Sequence, residues 1–178
     1  MELIMEEGIR PLACRPGPGP GHWLANEKQL KLIDQIGMPW EMLVDDVPAH
    51  VEAERRINDA AKAQGVARGD FYASYHTYEE IHERLDALLI AYPDHVHPAD
   101  AGTSLEGRPI RGVRIGTGEP GVKPALFFNG CQHAREWVST MVPTFIADEL
   151  AAGYGSDARI TGLLDLVDVY VIPIVNPD

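Results

Sequence analysis

Residues 125–137 read Ala125-Leu-Phe-Phe-Asn-Gly-Cys-Gln-His-Ala-Arg-Glu-Trp137, and they decide the interpretation of this 178-residue chain. The short apolar run that ends in Asn129-Gly130 predicts a buried β-strand followed by a turn. His133 and Glu136 follow the turn three residues apart, a spacing that puts two side chains on one face of a helical turn. An imidazole nitrogen and a carboxylate could therefore meet at a point about 2 Å from each, as a Zn²⁺ site requires.

The spacing alone leaves two interpretations open. Ligands of α/β proteins bind where strands end, and a catalytic zinc has three protein ligands, so a second histidine would have to come from elsewhere. The alternative is a buried ion pair of His133 and Glu136 with Arg135 nearby. His76 and Glu79 repeat the spacing, but no apolar strand precedes them, and we expect both to be solvated residues at the start of a helix.

The segments around this stretch predict an α/β protein, because strands and helices alternate along the chain. Thr77 and Glu80 form a capping box for a helix that Pro93 ends. Two strands are expected near 99–103 and 110–115, with a turn at Glu106-Gly107. The pattern then predicts a helix over 138–152, a helix over 157–166 capped by Ser156, and a strand over 167–175 in which Pro173 marks an edge or bulge.

The residues before position 65 predict a smaller, separate segment. Asn26 caps a short helix that Gly37 stops, and residues 40–44 are expected to form a strand. A connector helix should open at Asp45, Asp46 and Pro48 and continue to about Ala63. Residues 65–70 are expected to form a boundary loop. One helix and one strand are too little to close a core of their own.

The composition excludes several classes of protein. Lys and Arg number 15 against 27 Asp and Glu, a formal net charge of −12. This balance argues against a nucleic-acid binder and against docking on an anionic membrane. No apolar run approaches 18 residues, so no transmembrane helix is expected, and the acidic N-terminus lacks the basic region of a signal peptide. Cys14 and Cys131 permit one disulfide and leave the redox compartment undecided.

The stretch Gln132-His133-Ala-Arg-Glu136-Trp137 after an apolar strand resembles the zinc carboxypeptidase family, the carboxypeptidase A/B-like metallopeptidases. Further motifs agree in order along the chain: Tyr75-His-Thr-Tyr78, Gly102-Thr-Ser-Leu-Glu-Gly-Arg-Pro-Ile110, Tyr154-Gly155 and Val175-Asn-Pro-Asp178. The resemblance covers about residues 70–178. It implies an α/β fold with a mixed twisted sheet and helices on both faces, incomplete in this chain. Residues 13–60 more loosely resemble the later part of the family's activation region.

The resemblance also implies a domain division, a cofactor and site residues. Residues 1–66 would be a partial activation-region-like segment with a connector helix, and residues 67–178 the N-terminal part of a catalytic domain. His133 and Glu136 would be the first two ligands of one Zn²⁺, and Arg135 would contact the substrate backbone or carboxylate. The implied reaction is release of C-terminal amino acids from peptides or proteins by a zinc-activated water.

In the family, the second histidine ligand, the glutamate general base and the carbonyl-polarising arginine all follow the Asn-Pro-Asp motif. We therefore expect this chain to be an N-terminal fragment without its own catalytic base and inactive in isolation. Two alternatives stay open, an amidase or deacylase with the same two ligands and a non-catalytic binding module. Many relatives are secreted, but the compartment and the oligomeric state of this protein stay undecided.

Five further residues could bear chemistry, and a plainer role is expected for most of them. Cys131 is expected to be a small buried residue of the turn. His95 and His97 are expected to lie in a solvated loop, and Trp137 to pack under the site. The role of Asp178 stays open.

Overall fold

The computed structural model describes residues 8–12 and 21–178. The chain divides into two compact units, one up to Val51 and the other from Glu52 to Asp178. The predictions made for Cys14 and for the acidic N-terminus lie outside the described residues. None of the helices in the described part of the chain combines the length and the apolar character that a membrane crossing needs.

In its described residues, the first unit holds a small two-stranded sheet, one whole helix and the start of the connector helix. Its elements are β1 (Arg10–Pro11), which is antiparallel to β2 (Trp23–Leu24), and α1 (Glu27–Gln35). Asn26 caps α1 as predicted, and Gln29 completes a capping box by accepting from the Asn26 backbone. Ile9 and Ile33 are buried against each other, which ties the sheet to the helix.

The strand predicted over residues 40–44 is wrong. No element forms there, and Leu43 is 64% exposed. The Trp40 indole donates to Asp34 Oδ1 at 2.7 Å, which turns the segment back onto the end of α1. A run of β-forming residues becomes a strand only where a neighbouring strand accepts its hydrogen bonds, and the described residues of this unit offer none at that position.

The connector helix, α2 (Val47–Arg68), is longer than predicted. Asp46 Oδ1 accepts from Ala49 N at 2.9 Å at its start, as an N-cap does. The helix passes through Gly65 and is followed by Gly69, whose φ of 69° favours glycine. A Cβ on Gly65 would lie 2.6 Å from the Asp70 carbonyl, so glycine allows the following loop to fold back. The prediction of a loop from Gly65 was therefore four residues too early.

The second unit is a sheet covered by helices. A 3₁₀ turn (Phe71–Ala73) precedes α3 (Tyr78–Ala91), whose predicted Thr77–Glu80 capping box is present. The remaining elements are β3 (Val96–Thr103), β4 (Pro109–Ile115), β5 (Ala125–Asn129), α4 (Val138–Gly153), α5 (Ala158–Leu166) and β6 (Asp168–Ile172). The sheet order is β3-β4-β6-β5, with only the β5–β6 pair parallel. The predicted mixed sheet with helices is confirmed.

One apolar core joins the sheet to α3, α4 and α5. Its buried members are Leu85, Leu88, Val96, Val113, Ile115, Ala147, Ala151, Leu164, Val169 and Val171. The strand members alternate along β4 and β6, so they lie on one face of the sheet. The helix period of α3 places Leu85 and Leu88 on one face of the helix, which packs into this core.

Three local predictions differ from the structure. Asp157, not Ser156, caps α5, because its carboxylate accepts from both Arg159 N and Ile160 N. β6 ends at Ile172 rather than Val175, because Pro173 has no N–H to continue a strand that is paired on both sides. β5 is exposed rather than buried, with Phe127 57% exposed. Among the described residues it pairs only with β6, so its other side has no neighbouring strand in this part of the chain.

Candidate metal centre

The predicted ligands lie where the parallel strands β5 and β6 end side by side. The loop after β5 is tied to the segment after β6 by backbone hydrogen bonds. Gly130 N donates to Ile172 O at 3.2 Å, and Val175 N donates to Gly130 O at 3.0 Å. Asn176 N then donates to Cys131 O at 3.2 Å. These bonds fix the start of the loop that carries His133 at the carboxyl edge of the sheet, the usual ligand position in α/β folds.

Gly130 is required for the close approach of this loop to α4. A Cβ at this position would overlap the Ser139 carbonyl oxygen and lie 2.9 Å from the Pro173 carbonyl oxygen. The Ser139 carbonyl is also the one that Pro143, four residues later in α4, cannot bond because proline has no N–H. The helix start and the loop therefore pack backbone to backbone.

His133 and Glu136 meet within one turn before α4. Glu136 N donates to His133 O at 3.0 Å, which closes the turn. His133 Nδ1 lies 2.9 Å from Glu136 Oε1, with the two side chains 49% and 39% exposed. The alternative of a buried ion pair therefore does not describe them. The spacing brings the two predicted donor atoms together at a position open to solvent.

Ser139, which is not among the site residues predicted from the sequence, supports this turn. Its hydroxyl donates to Glu136 O at 2.5 Å and accepts from Cys131 N at 2.8 Å. Ser139 follows the motif by two residues, and a serine in the first turn of a helix is a signal that could have been noticed.

Cys131 packs in the loop but is only partly buried, whereas the sequence predicted a buried residue. It contacts a buried cluster of Ile81, Met141 and Ile174. Its φ of 52° is unusual for a residue with a side chain. Burial, with a smaller effect from the charge of Glu136, raises the pKa of its thiol. The thiol is therefore held in its neutral, weakly nucleophilic form.

Arg135 and Trp137 lie on a groove of about 660 Å³ that also reaches Glu136. Its opposite walls come from α2 and from the segment before α3, through Glu54, Ile57, Asn58, Ala61, Tyr72, Ala73, Ser74 and Tyr75. Trp137 is 47% exposed and meets Tyr75 edge to face at a centroid distance of 5.7 Å. The prediction that Trp137 packs beneath the site is therefore wrong, and it forms part of the groove wall.

His133 and Glu136 are residue types that bind zinc, but they are two ligands where a catalytic zinc site has three from the protein. A neutral imidazole nitrogen and a carboxylate oxygen are both zinc donors. No group of three or more His, Cys, Asp or Glu residues that could hold a metal occurs within residues 8–12 and 21–178. His133 and Glu136 could therefore supply two of the ligands of such a metal.

Two histidines predicted to be solvated are instead packed. The His76 ring stacks on Phe71 at 3.9 Å, and its Nε2 lies 2.7 Å from Phe71 O. His95 is 9% exposed, with its Nε2 2.9 Å from Ala151 O. Each ring contacts a backbone carbonyl, and His76 Nδ1 also lies 3.2 Å from Glu80 Oε2, so these histidines stabilise the fold. Glu79 is exposed, as predicted, and His97 lies on β3 rather than in a loop.

Comparison with known proteins adds independent information. A family model described as zinc carboxypeptidase matches residues 81–178. Carboxypeptidase A2 from Rattus norvegicus is 33% identical over 149 residues, 82% of this chain and 34% of the relative. Metallocarboxypeptidase A from Trichophyton tonsurans is 37% identical over 143 residues, 80% of this chain and 34% of the relative. The chain spans about a third of the length of these curated relatives.

A solved structure has a similar fold. The crystal structure of carboxypeptidase A from Helicoverpa armigera matches 99% of this chain and 45% of its own, with a TM-score of 0.82 and 24% identity. At that identity the likeness shows the fold alone.

Proposed function

Because the chain belongs to the zinc carboxypeptidase family, we propose that it carries two zinc ligands, His133 and Glu136, of a peptidase that releases C-terminal amino acids. The observation that carries the proposal is the 2.9 Å approach of His133 Nδ1 to Glu136 Oε1 at the joined ends of β5 and β6. Both groups are half exposed, so a metal and a substrate could reach them.

His133 and Glu136 would hold the metal from one side of the site. Zinc, when bound, lowers the pKa of a water ligand and polarises a peptide carbonyl. The bond from Glu136 N to His133 O closes the backbone turn between the two ligands, and His133 Nδ1 lies 2.9 Å from Glu136 Oε1. Ser139, through its bond to Glu136 O, holds that turn against the start of α4. The chain thus contributes a preorganised pair of ligands rather than two flexible side chains.

Arg135 is proposed to bind the substrate. It lines the same groove as Glu136, so a peptide lying in the groove would reach both residues. A guanidinium suits a peptide carbonyl or a carboxylate, which it can bind through two parallel N–H groups. Arg135 would therefore orient the peptide while the ligand pair holds the metal beside the scissile bond.

Residues 1–66 are proposed to be an activation-region-like segment with its connector helix, and 67–178 the first part of a catalytic domain. The support is that α2 supplies Glu54, Ile57 and Asn58 to the groove that Arg135 and Glu136 line. A connector helix in that position would restrict access to the groove.

Zinc titration tests the metal site directly. We expect the 178-residue chain to bind one zinc weakly, since water must complete the coordination, and His133→Ala or Glu136→Ala to remove this binding. His50→Ala and Glu79→Ala are matched controls at exposed positions and should bind as the wild type does. Binding that survives both ligand substitutions would refute the assignment.

Activity tests the reaction. The protein expressed from its complete reading frame should release amino acids from blocked dipeptides in a chelator-sensitive way. Glu136→Gln should abolish that release, and Arg135→Ala should raise KM. An active protein that cleaves other amides but no peptide would point to an amidase instead.

A further inference from the structure

The turn between β3 and β4 presents several hydrogen-bond donors outward. Its backbone closes on itself, with Ser104 N donating to Arg108 O at 2.8 Å and Gly107 N to Ser104 O at 3.1 Å. Gly107 has a φ of 81°, which the tight turn requires. Arg108 Nη2 pairs with Glu106 Oε2 inside the turn at 2.8 Å. The Ser104 hydroxyl, the Glu106 N–H and Arg108 Nη1 are then left to bind an acceptor from another part of the chain.

Asp178 is that acceptor. Its Oδ1 accepts from Ser104 Oγ at 2.7 Å and from Arg108 Nη1 at 2.6 Å, and its Oδ2 accepts from Glu106 N at 2.9 Å. Partial burial acts to raise the pKa of this carboxyl, but the bonds from Glu106 N, Ser104 and Arg108 outweigh it and leave the pKa below its usual value. The Asp178 side chain is 17% exposed, so the turn covers most of it.

The segment that ends at Asp178 is the one that holds the metal-site loop. Arg108 Nη1 also donates to Pro177 O at 3.4 Å. One residue earlier, Asn176 donates twice, from N to Cys131 O at 3.2 Å and from Nδ2 to Gln132 O at 3.1 Å. A continuous series of hydrogen bonds therefore runs from the β3–β4 turn to the residue before His133.

We propose that Ser104 and Arg108 are positioning residues for the metal site, acting through Asp178 and Asn176. This inference rests on the proposed function. The two residues fix Asp178 and so the path of residues 175–178, which in turn fixes the loop over residues 130–132 and the direction in which His133 leaves it. Removing a direct partner of a metal ligand typically costs about 10–100-fold in affinity. Ser104 and Arg108 act on His133 through several intermediate residues. We therefore expect substitution of either residue to lower the zinc affinity by about three- to tenfold.

Arg108→Gln and Ser104→Ala test the proposal in the 178-residue chain. The matched control is Arg159→Gln, since Arg159 also pairs with a carboxylate, Asp157, at 3.2 Å but on α5. Amide hydrogen exchange of Val175 and Asn176 reports whether the segment is held, zinc affinity by chelator competition reports the site, and Tm reports global stability. Arg108→Lys keeps a charged ammonium group that can donate to Asp178, so it should bind zinc more tightly than Arg108→Gln.

The expected result is exchange at Val175 and Asn176 faster by about fivefold or more, zinc affinity lower by about three- to tenfold, and Tm changed by less than about 3 °C. The control should match the wild type in all three measurements. Unchanged exchange, or faster exchange with unchanged zinc affinity, would overturn the proposal. So would faster exchange throughout β4 and β6 with a large fall in Tm, because that marks a purely structural role. If the wild-type chain bound no zinc, the proposed function would fail, and exchange alone would decide whether the turn holds the segment.

Discussion

Arg114 and Asp168 form a buried ion pair between neighbouring strands β4 and β6, with Arg114 Nη1 3.2 Å from Asp168 Oδ1. Their side chains are only 7% and 1% exposed. Lys123 Nζ lies 3.6 Å from the same oxygen, and Asp168 Oδ2 has no hydrogen-bond donor among the described residues. Two cations, Arg114 and Lys123, therefore compensate the negative charge of the buried Asp168 side chain.

Replacing Arg114 by Leu should destabilise the second unit. Breaking one partner of a buried pair leaves an uncompensated charge and costs about 3–5 kcal/mol. Lys123 stays close to Asp168, so we expect the lower end of that range. Urea denaturation at pH 7 gives the free energy of unfolding. Arg159→Leu, which breaks an exposed pair, should change it by less than about 1 kcal/mol. Equal effects of the two substitutions would contradict this account.

Gly130→Ala and Gly162→Ala should change the free energy of unfolding in opposite directions. A Cβ on Gly130 overlaps the Ser139 carbonyl, so the strand-exit loop must move away from α4. A Cβ on Gly162, inside α5, meets no atom within 4 Å. Alanine should therefore stabilise at Gly162 by about 0.5–1 kcal/mol. At Gly130 it should destabilise by about 1–3 kcal/mol and weaken zinc binding. The free energies of unfolding of the two variants check both signs.

Local signals predicted the elements well, and long-range partners account for most errors. The capping boxes at Asn26 and Thr77 depend on residues three apart, so the sequence was sufficient. The meeting of His133 with Glu136 is local for the same reason. His95 is buried because its partner is the carbonyl of Ala151, 56 residues away. No pattern around His95 could have indicated that contact.

The support of the candidate site was harder to predict than its ligands. Asn176 lies 44 residues after Gln132, and the two meet only because β5 and β6 are parallel neighbours. Sheet order, rather than residue type, decides this contact.

His82 should make the fold less stable below neutral pH. It is 6% exposed, and its Nε2 has no hydrogen-bond partner among the described residues. Burial, followed by the charge of Arg111, lowers its pKa in the folded state, although Asp86 and Glu79 act to raise it. The unfolded chain takes up a proton near pH 6.5 and the folded chain does not. Stability is therefore full above that pH and falls as the pH drops towards the folded-state pKa.

His82→Leu should remove this part of the pH dependence. The measurement is the free energy of unfolding in urea at pH 7.5 and pH 5.0. The variant should lose less stability than the wild type between these two values. An identical loss in both proteins would show that His82 is protonated in the folded state.

Glu80 should contribute stability over a lower pH range. The Lys62 ammonium, the Thr77 backbone N–H and His76 lower its pKa to about 2, against a smaller opposing effect of burial. A carboxyl with a lowered pKa stabilises the fold above its unfolded pKa, near 4.5, and the effect is lost as the pH falls towards 2. Glu80→Gln should cost about 1 kcal/mol at pH 7, because the ion pair is partly exposed. The difference from the wild type should shrink between pH 4.5 and 2, and a constant difference would exclude this charge effect.

The 178-residue chain by itself should show no carboxypeptidase turnover, whereas the protein from its complete reading frame should be active. The described residues offer two metal donors and a substrate-binding arginine candidate, but no group of three metal ligands. An oxyanion donor alone is worth roughly 10²–10³ in rate, and a positioned general base adds about 10²–10⁴. The metal ligands, the oxyanion donor and the general base act together as one catalytic unit. A chain that lacks several of them should therefore have no measurable rate.

The assay for this prediction is release of free amino acid from blocked dipeptides ending in Phe, Leu, Arg or Lys, with added zinc. Chelator-sensitive release by the isolated chain that Glu136→Gln abolishes would mean that the described residues already complete the site. Release that Glu136→Gln leaves unchanged would identify a contaminating peptidase. The same substrates incubated with the complete protein provide the positive control, since silence there would count against the peptidase assignment itself.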